Sequence, residues 1–318
     1  MQETALIRKL RSPITEQQLR PLDPQCQVVQ FNAPLTDDDF LKLAGFMENY
    51  SQVSLRIYGH HQRSTDLSFL RHFPFLKRFQ ADVLELDNWD GLRFLPDTVE
   101  FLALGATRRQ FSLAPIARFA QLTRLHLDGH RKDIAVVGDL SALVYLTLRS
   151  ITLTDLGILR RLRKLHSLAL KLGGTNRLAP LNELSSLRYL ELWRVRGLSD
   201  LSALTTLPQL RDLFLQDLTN VRSLPSFRPL QNLRRCYIQN LKHLTDLSPI
   251  AEAPYLEEFL LISMRHISVD GLKCFQGHPT LKAATIGLGS MRRNALAAEM
   301  LGLGQVSNKP YRDYVESG

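Results

Sequence analysis

From Leu187 to Leu210 the chain reads LRYLELWRVRGLSDLSALTTLPQL, and this stretch sets the pattern for most of the rest. Leu187, Leu190 and Leu192 form a Leu-x-x-Leu-x-Leu motif, after which Leu198, Leu201, Leu204 and Leu207 lead back to the next motif at Leu210. With the second leucine of each motif as a ruler, the series runs Leu55, Phe79, Leu102, Leu125, Leu146, Leu168, Leu190, Leu213, Cys236, Phe259 and Ala284, at intervals of 21 to 25 residues. The positions three before, at and two after the ruler make 33 sites in these eleven units, and only Gln52 among them is not apolar. A chain that is 44% hydrophobic does not produce this by composition, so the pattern is a true repeat. Such a period means a solenoid, in which a unit buries its apolar face only against its neighbours.

The motif itself reads as a short strand, with the ruler residue and the residue two after it pointing to one interior. Parallel strands about 4.8 Å apart would stack eleven units to roughly 50 Å, so 318 residues are expected to form one elongated domain. The predicted fold is an α/β repeat, with a parallel sheet on the concave face and short helical, 3-10 or extended segments on the convex face. Residues 28–288 are assigned to the repeats, 1–27 to an N-terminal cap and 289–318 to a C-terminal cap and tail.

Lys and Arg number 40 against 31 Asp and Glu, a formal charge of +9 that favours acidic partners, nucleic acid or anionic surfaces at long range. The densest basic spots are Arg108 and Arg109, then Arg160, Arg161, Arg163 and Lys164; acidic residues interleave elsewhere, as on a solvated flank. Cys26, Cys236 and Cys274 form no CxxC pair, and Cys236, on the ruler, is expected to be a small buried hydrophobe. The opening MQETALIRKLRSP has no apolar core of a signal peptide, and no run of about 18 uncharged apolar residues occurs. A reducing cytoplasm is the expected setting.

Leu6, Ile7, Leu10, Ile14 and Leu19 recur at roughly helical spacing, which predicts a short helical cap over the first edge of the ladder. Val29 and Phe31 read as a degenerate strand of a further N-terminal unit. Thr36 followed by Asp37, Asp38 and Asp39 reads as a capped helix start, with Phe40, Leu41, Leu43, Ala44 and Met47 as its apolar stripe. Middle units carry LAPL at 178–181, LPSF at 224–227 and LSPI at 247–250, where short 3-10 or extended outer segments fit better than helices. After Ile286 the spacing fails; a helix over 294–301 and a polar tail SNKPYRDYVESG are predicted.

At LTDLSPI (Leu244 to Ile250) and GLSDLSAL (Gly197 to Leu204), following LRRCYIQN and LRYLELWR, the chain resembles leucine-rich repeat proteins of the short bacterial or phosphatase-regulator type. The resemblance covers about residues 28–288 and implies protein or peptide binding on the concave strand surface. One feature departs from it. Such repeats commonly place Asn five positions after the ruler, where its amide satisfies the bend; here those positions hold His130, Ile151, Gly173, Val195, Leu218, Leu241 and Met264. Apolar side chains there can fill the core, but the backbone of the bend must find other partners.

Residues just before, just after and three after the ruler should line the open face of the sheet. There Tyr189, Trp193, Phe214 and Tyr237 are expected to converge within three adjacent units, ringed by Arg149, Lys171, Glu191, Asp212 and Arg235, with Tyr145, Gln216 and Gln239 completing the candidate partner-binding set. Aromatic anchors inside a charged rim have the composition of an interface hot spot; the plainer reading is cross-strand stacking that stiffens the sheet. Leu260 and Ile262 share the face and are either free or covered by the C-terminal cap. His126, Asp128 and His130 are the best metal candidates, but an open ladder rarely supplies the cavity a metal needs. Tandem His60 and His61 are placed on a loop. No Ser-His-Asp neighbourhood, HExxH or phosphate loop is present, so neither an enzyme nor a cofactor is expected. Three functional readings remain: a protein-interaction module or scaffold, an immunity protein or antitoxin that inhibits one cognate enzyme, and an RNA-binding solenoid. Glu191, Asp212, Glu257 and Glu258 in or beside the groove weigh against RNA.

Overall fold

A computed structural model describes residues 6–59 and 66–305. The chain divides into two compact units, the first ending at Leu143 and the second starting at Val144. His60, His61 and the polar tail from Ser307 onward lie outside the described residues.

The first unit stacks six parallel strands in sequence order: β1 (Ile7–Leu10), β2 (Val28–Phe31), β3 (Ser54–Gly59), β4 (Arg78–Val83), β5 (Phe101–Leu104) and β6 (Arg124–Asp128). The ruler is the register. Leu55 pairs with Phe79, Phe79 with Leu102 and Leu102 with Leu125, because the residues that bury themselves in one interior are the ones that must lie side by side. Val29 extends the series to β2, opposite Leu55.

The helical cap expected over residues 1–27 is not what forms: Ile7–Leu10 is a strand paired with β2. Arg8 occupies the rung opposite Val29, so the apolar period does not reach this strand and cannot announce it. Its guanidinium donates instead to the carbonyls of Gln18 (2.9 Å) and Arg20 (3.2 Å), holding the following turns against the strand. The helix α1 (Asp37–Met47) forms as expected, N-capped by Thr36, whose side chain accepts from the Asp39 N–H. Phe40, Leu43, Ala44 and Met47 are buried, but Leu41 is 60% exposed and does not belong to the stripe. Asp39 is itself buried: it accepts from the Ser12 hydroxyl and the Ile14 N–H, both at 2.6 Å, and from the Thr36 N–H at 3.1 Å. It thereby clips the N-terminal segment to the start of α1. Phe31, Phe40, Phe69, Phe73 and Phe79 pack in an edge-to-face and stacked cluster behind the strands.

The second unit stacks seven parallel strands: β7 (Tyr145–Arg149), β8 (Ser167–Lys171), β9 (Tyr189–Trp193), β10 (Asp212–Gln216), β11 (Arg235–Gln239), β12 (Glu258–Ile262) and β13 (Ala283–Ile286). Ruler residues pair again from Leu146 to Ala284, and all but Ala284 are buried. Cys236 is among them; burial pushes its thiol pKa up, so it stays a neutral core group. The outer segments are short: a 3-10 turn at Ala179–Glu183, an unstructured passage through 224–226 and the four-residue α2 (Ser248–Ala251). The closing helix α3 (Met291–Leu301) begins three residues before its predicted start, capped by Ser290 and ended by left-handed Gly302.

The bend left unsupported by the missing asparagines is held by the backbone. Four residues after the ruler, Ser150, Leu172, Arg194, Asp217, Asn240 and Ser263 all take left-handed φ values of 50° to 56°. This turns the chain so that the N–H groups of Ser150, Leu172, Arg194, Asp217 and Asn240 donate to the carbonyls of Lys171, Trp193, Gln216, Gln239 and Ile262 in the next rung, at 2.8 to 3.0 Å. The residues that follow, Ile151, Gly173, Val195, Leu218, Leu241 and Met264, are then driven inward and buried. At Gly173 the Ile151 carbonyl comes so close that a Cβ would lie 1.9 Å from its oxygen, so no side chain fits.

Candidate protein-binding face

The alternation within β7–β12 places three parallel rows on the side of the sheet opposite the leucines. The first runs Tyr145, Ser167, Tyr189, Asp212, Arg235, Glu258; the second Thr147, Ala169, Glu191, Phe214, Tyr237, Leu260; the third Arg149, Lys171, Trp193, Gln216, Gln239, Ile262. Trp193 therefore stands beside Lys171 and Gln216, on the opposite side of the sheet from Leu190 and Leu192. All twelve candidate residues share this side.

They do not share its exposure. Tyr189, Glu191 and Asp212 are only 6%, 8% and 4% exposed, which corrects the expectation of a uniformly water-facing ribbon. The cause is lateral: with strands about 4.8 Å apart, side chains larger than alanine lie against one another and cover the smaller or shorter group between them. The Tyr189 hydroxyl donates to Glu191 Oε2 at 3.0 Å, and Lys171 Nζ reaches the same oxygen at 2.8 Å. Burial, together with the Glu191 charge, pushes the Tyr189 pKa up, so its proton stays on the phenol and the bond keeps one direction. Asp212 has its pKa pushed up to about 6 by burial, against the lowering effect of Arg211 and Arg235 and with a further raising effect from Glu258. Arg235 is itself bound to the Glu258 carboxylate.

What faces outward is a frame of half-buried groups. Arg149 lies 6.0 Å from the Trp193 ring centre. The Trp193 Nε1–H is buried with no acceptor among the described residues. Phe214 and Tyr237 stack at 4.3 Å with planes 12° apart, and the Tyr237 hydroxyl donates to Gln239. Tyr145, Gln216, Leu260 and Ile262 are half-buried on the same side. Sequence reasoning passes over a second feature of this unit: Arg188, Arg211 and Arg234 recur at 23-residue spacing two positions before the ruler. The signal is legible only once the ruler is used to read the strand ends as well as the strands.

In the first unit, His130 does not reach outward as a ligand would. It is fully buried, packed on Trp89 and Phe111, with one ring nitrogen 3.0 Å from the Gly105 carbonyl. Burial pushes its pKa down, so it is a neutral core residue. Among the described residues no three His, Cys, Asp or Glu side chains are grouped to hold a metal ion. No described helix is long and apolar enough to cross a membrane.

No protein-family model and no curated protein matches the sequence. Solved structures do. An internalin (inlF) from Listeria monocytogenes aligns with 93% of this chain and 90% of its own, at a TM-score of 0.60 and 16% identity. A TLR13–ssRNA13 complex aligns with 89% of this chain at a TM-score of 0.50 and 14% identity, and this chain spans half the length of that one. A leucine-rich repeat protein from Leptospira interrogans aligns with 89% of this chain and 90% of its own, at a TM-score of 0.45 and 13% identity. The Leu-x-x-Leu-x-Leu register of the strands, the short outer segments and the likeness to the internalin together establish that this chain has the leucine-rich-repeat solenoid fold.

Proposed function

We propose that this protein is a non-catalytic protein-interaction module that engages a partner protein through the open face of β7–β12. The observation that carries the reading is the arrangement of that face: half-buried Tyr145, Trp193, Phe214 and Tyr237 stand beside buried Tyr189, Glu191 and Asp212, of which Tyr189 and Glu191 are hydrogen-bonded to each other. Preordered aromatic side chains flanked by Arg149, Lys171, Arg235, Gln216 and Gln239 supply apolar contact area at little ordering cost, with a polar rim to fix orientation. The buried residues serve as the support and the half-exposed ones as the contacts.

Affinity capture on wild-type protein, compared with Trp193→Ala and Phe214→Ala, tests this. A stoichiometric partner lost by both variants, with unfolding transitions still cooperative, supports the interface; reduced stability with undiminished capture leaves only sheet stiffening. A single tight partner would identify an inhibitor of the immunity or antitoxin kind, whereas a heterogeneous set would identify a scaffold. The internal acids Glu191 and Asp212 disfavour an RNA ligand on this face, and salt-insensitive or absent RNA binding is the expected result.

A further inference from the structure

A different surface of the second unit, at the ends of the strands, carries a charge pattern that the open face does not explain. Consecutive rungs hold Arg188, Arg211, Arg234 and Glu257 two positions before the ruler. The backbone locks them side by side: the Arg188 carbonyl accepts from the Arg211 and Asp212 N–H groups, that of Arg211 from Arg234 and Arg235, and that of Arg234 from Glu257 and Glu258, at 2.8 to 3.1 Å. Three guanidinium-bearing residues thus start from Cα positions about one strand spacing apart, which is unfavourable without a counter-charge. Glu257 is the carboxylate that answers them, 3.5 Å from Arg234 and 2.9 Å from Lys282. Lys282 first, with Arg234 and Arg211 beyond it, holds the Glu257 pKa down, so this carboxylate is ionised at neutral pH. The Arg234 guanidinium also rests over the Tyr255 ring at 5.1 Å, while that of Arg188 makes no hydrogen bond or ion pair among the described residues.

Arg188, Arg211, Arg234 and Glu257 surround an open cavity of about 310 Å³, completed by the amides of Gln209 and Asn232. Three guanidiniums against one carboxylate leave its wall with a formal charge of +2. We propose that this cavity binds a phosphoryl group as its dianion, either as free phosphate or as a phosphorylated side chain. A phosphate monoester carries close to two negative charges at neutral pH and presents three acceptor oxygens, which adjacent guanidiniums engage in pairs of parallel bonds. Glu257 lowers the charge of the site without cancelling it. It weakens the binding of any anion in proportion to the anion's charge, and the net +2 that remains on the wall attracts a dianion about twice as strongly as a single carboxylate or a phosphodiester. The proposal stands apart from the open-face reading, and either can fail without the other.

Calorimetric titration of the full chain at fixed ionic strength tests it, with three probes: inorganic phosphate, a phosphoserine peptide, and the same peptide unphosphorylated. The expected result is binding of the first two and not the third. Comparable affinity for phosphate and phosphopeptide assigns the site to free phosphate; tighter peptide binding assigns it to a phosphorylated partner. Arg211→Gln should weaken binding about tenfold or more, and Arg188→Gln, at an exposed position with no bond to lose, should weaken it in the same direction. Glu257→Gln should tighten it, which a residue of merely structural importance would not do. Equal binding of both peptides, indifference to both arginine substitutions, or tighter and steeply salt-dependent binding of a short single-stranded RNA would overturn the proposal.

Discussion

Asp39 in the first unit and Asp212 in the second are both buried carboxylates, 2% and 4% exposed, yet their pKa values lie about 2 and about 6, on opposite sides of the ordinary 3.8. Burial raises both. At Asp39 it is outweighed by donors aimed at the carboxylate, the Ser12 hydroxyl and the Ile14 and Thr36 N–H groups. At Asp212 the neighbours are charges of mixed sign, and burial prevails. The difference reflects how each unit is built. The first is held by particular side-chain clips, an aromatic cluster and a true helix; the second by a backbone bend repeated rung after rung, which leaves its side chains to arrange a surface.

Asp39→Ala should show the largest effect, about 3 kcal/mol of stability lost in urea unfolding, because three donors lose a charged acceptor and the N-terminal segment its clip. The pH dependence sharpens the contrast. Since the folded pKa of Asp39 lies below the unfolded value, its contribution is complete above about pH 4 and disappears as pH falls toward 2, a change of about 2 kcal/mol that Asp39→Asn should abolish.

Asp212→Asn should act in the other direction, adding about 2 kcal/mol at pH 7. With the folded pKa raised, the group costs nothing below about pH 4, destabilises increasingly between about pH 4 and about 6, and exerts its full cost above that. A loss of stability at pH 7 would mean that attraction to Arg235 outweighs desolvation, and the contrast with Asp39 would collapse. Arg194→Gly tests the bend of the second unit: removing an exposed side chain from a left-handed φ of 50° should gain about 0.5–1 kcal/mol in thermal unfolding. The smallest effect is expected at Trp193→Phe, within about 0.5 kcal/mol, because the indole N–H it removes makes no bond in the folded chain; partner capture, reduced by Trp193→Ala, should largely survive it.

Much of this was legible before any coordinates. The ruler from Leu55 to Ala284 is the strand register, the Thr36 cap and the short outer segments fall where local chemistry puts them, and the twelve candidate residues share one side of the sheet. The strand at Ile7–Leu10 escaped because Arg8, not an apolar residue, occupies its ladder position, and the accidental spacing of Leu6, Ile7, Leu10 and Ile14 imitated a helix. The left-handed bend escaped because five residue types, as different as Leu, Arg and Asn, adopt it; it is imposed by carbonyls one rung away and by no local preference.

The order of the strands, their register and the identity of the core were determined by the sequence alone, because an apolar period of 21 to 25 residues repeats often enough to outweigh any single exception. Only the tertiary structure decided which residues of the open face are covered, how the two aspartates titrate, and that three arginines share one cavity. Each of those depends on groups brought together from 20 or more residues away, and desolvation and charge act through space without regard to the chain.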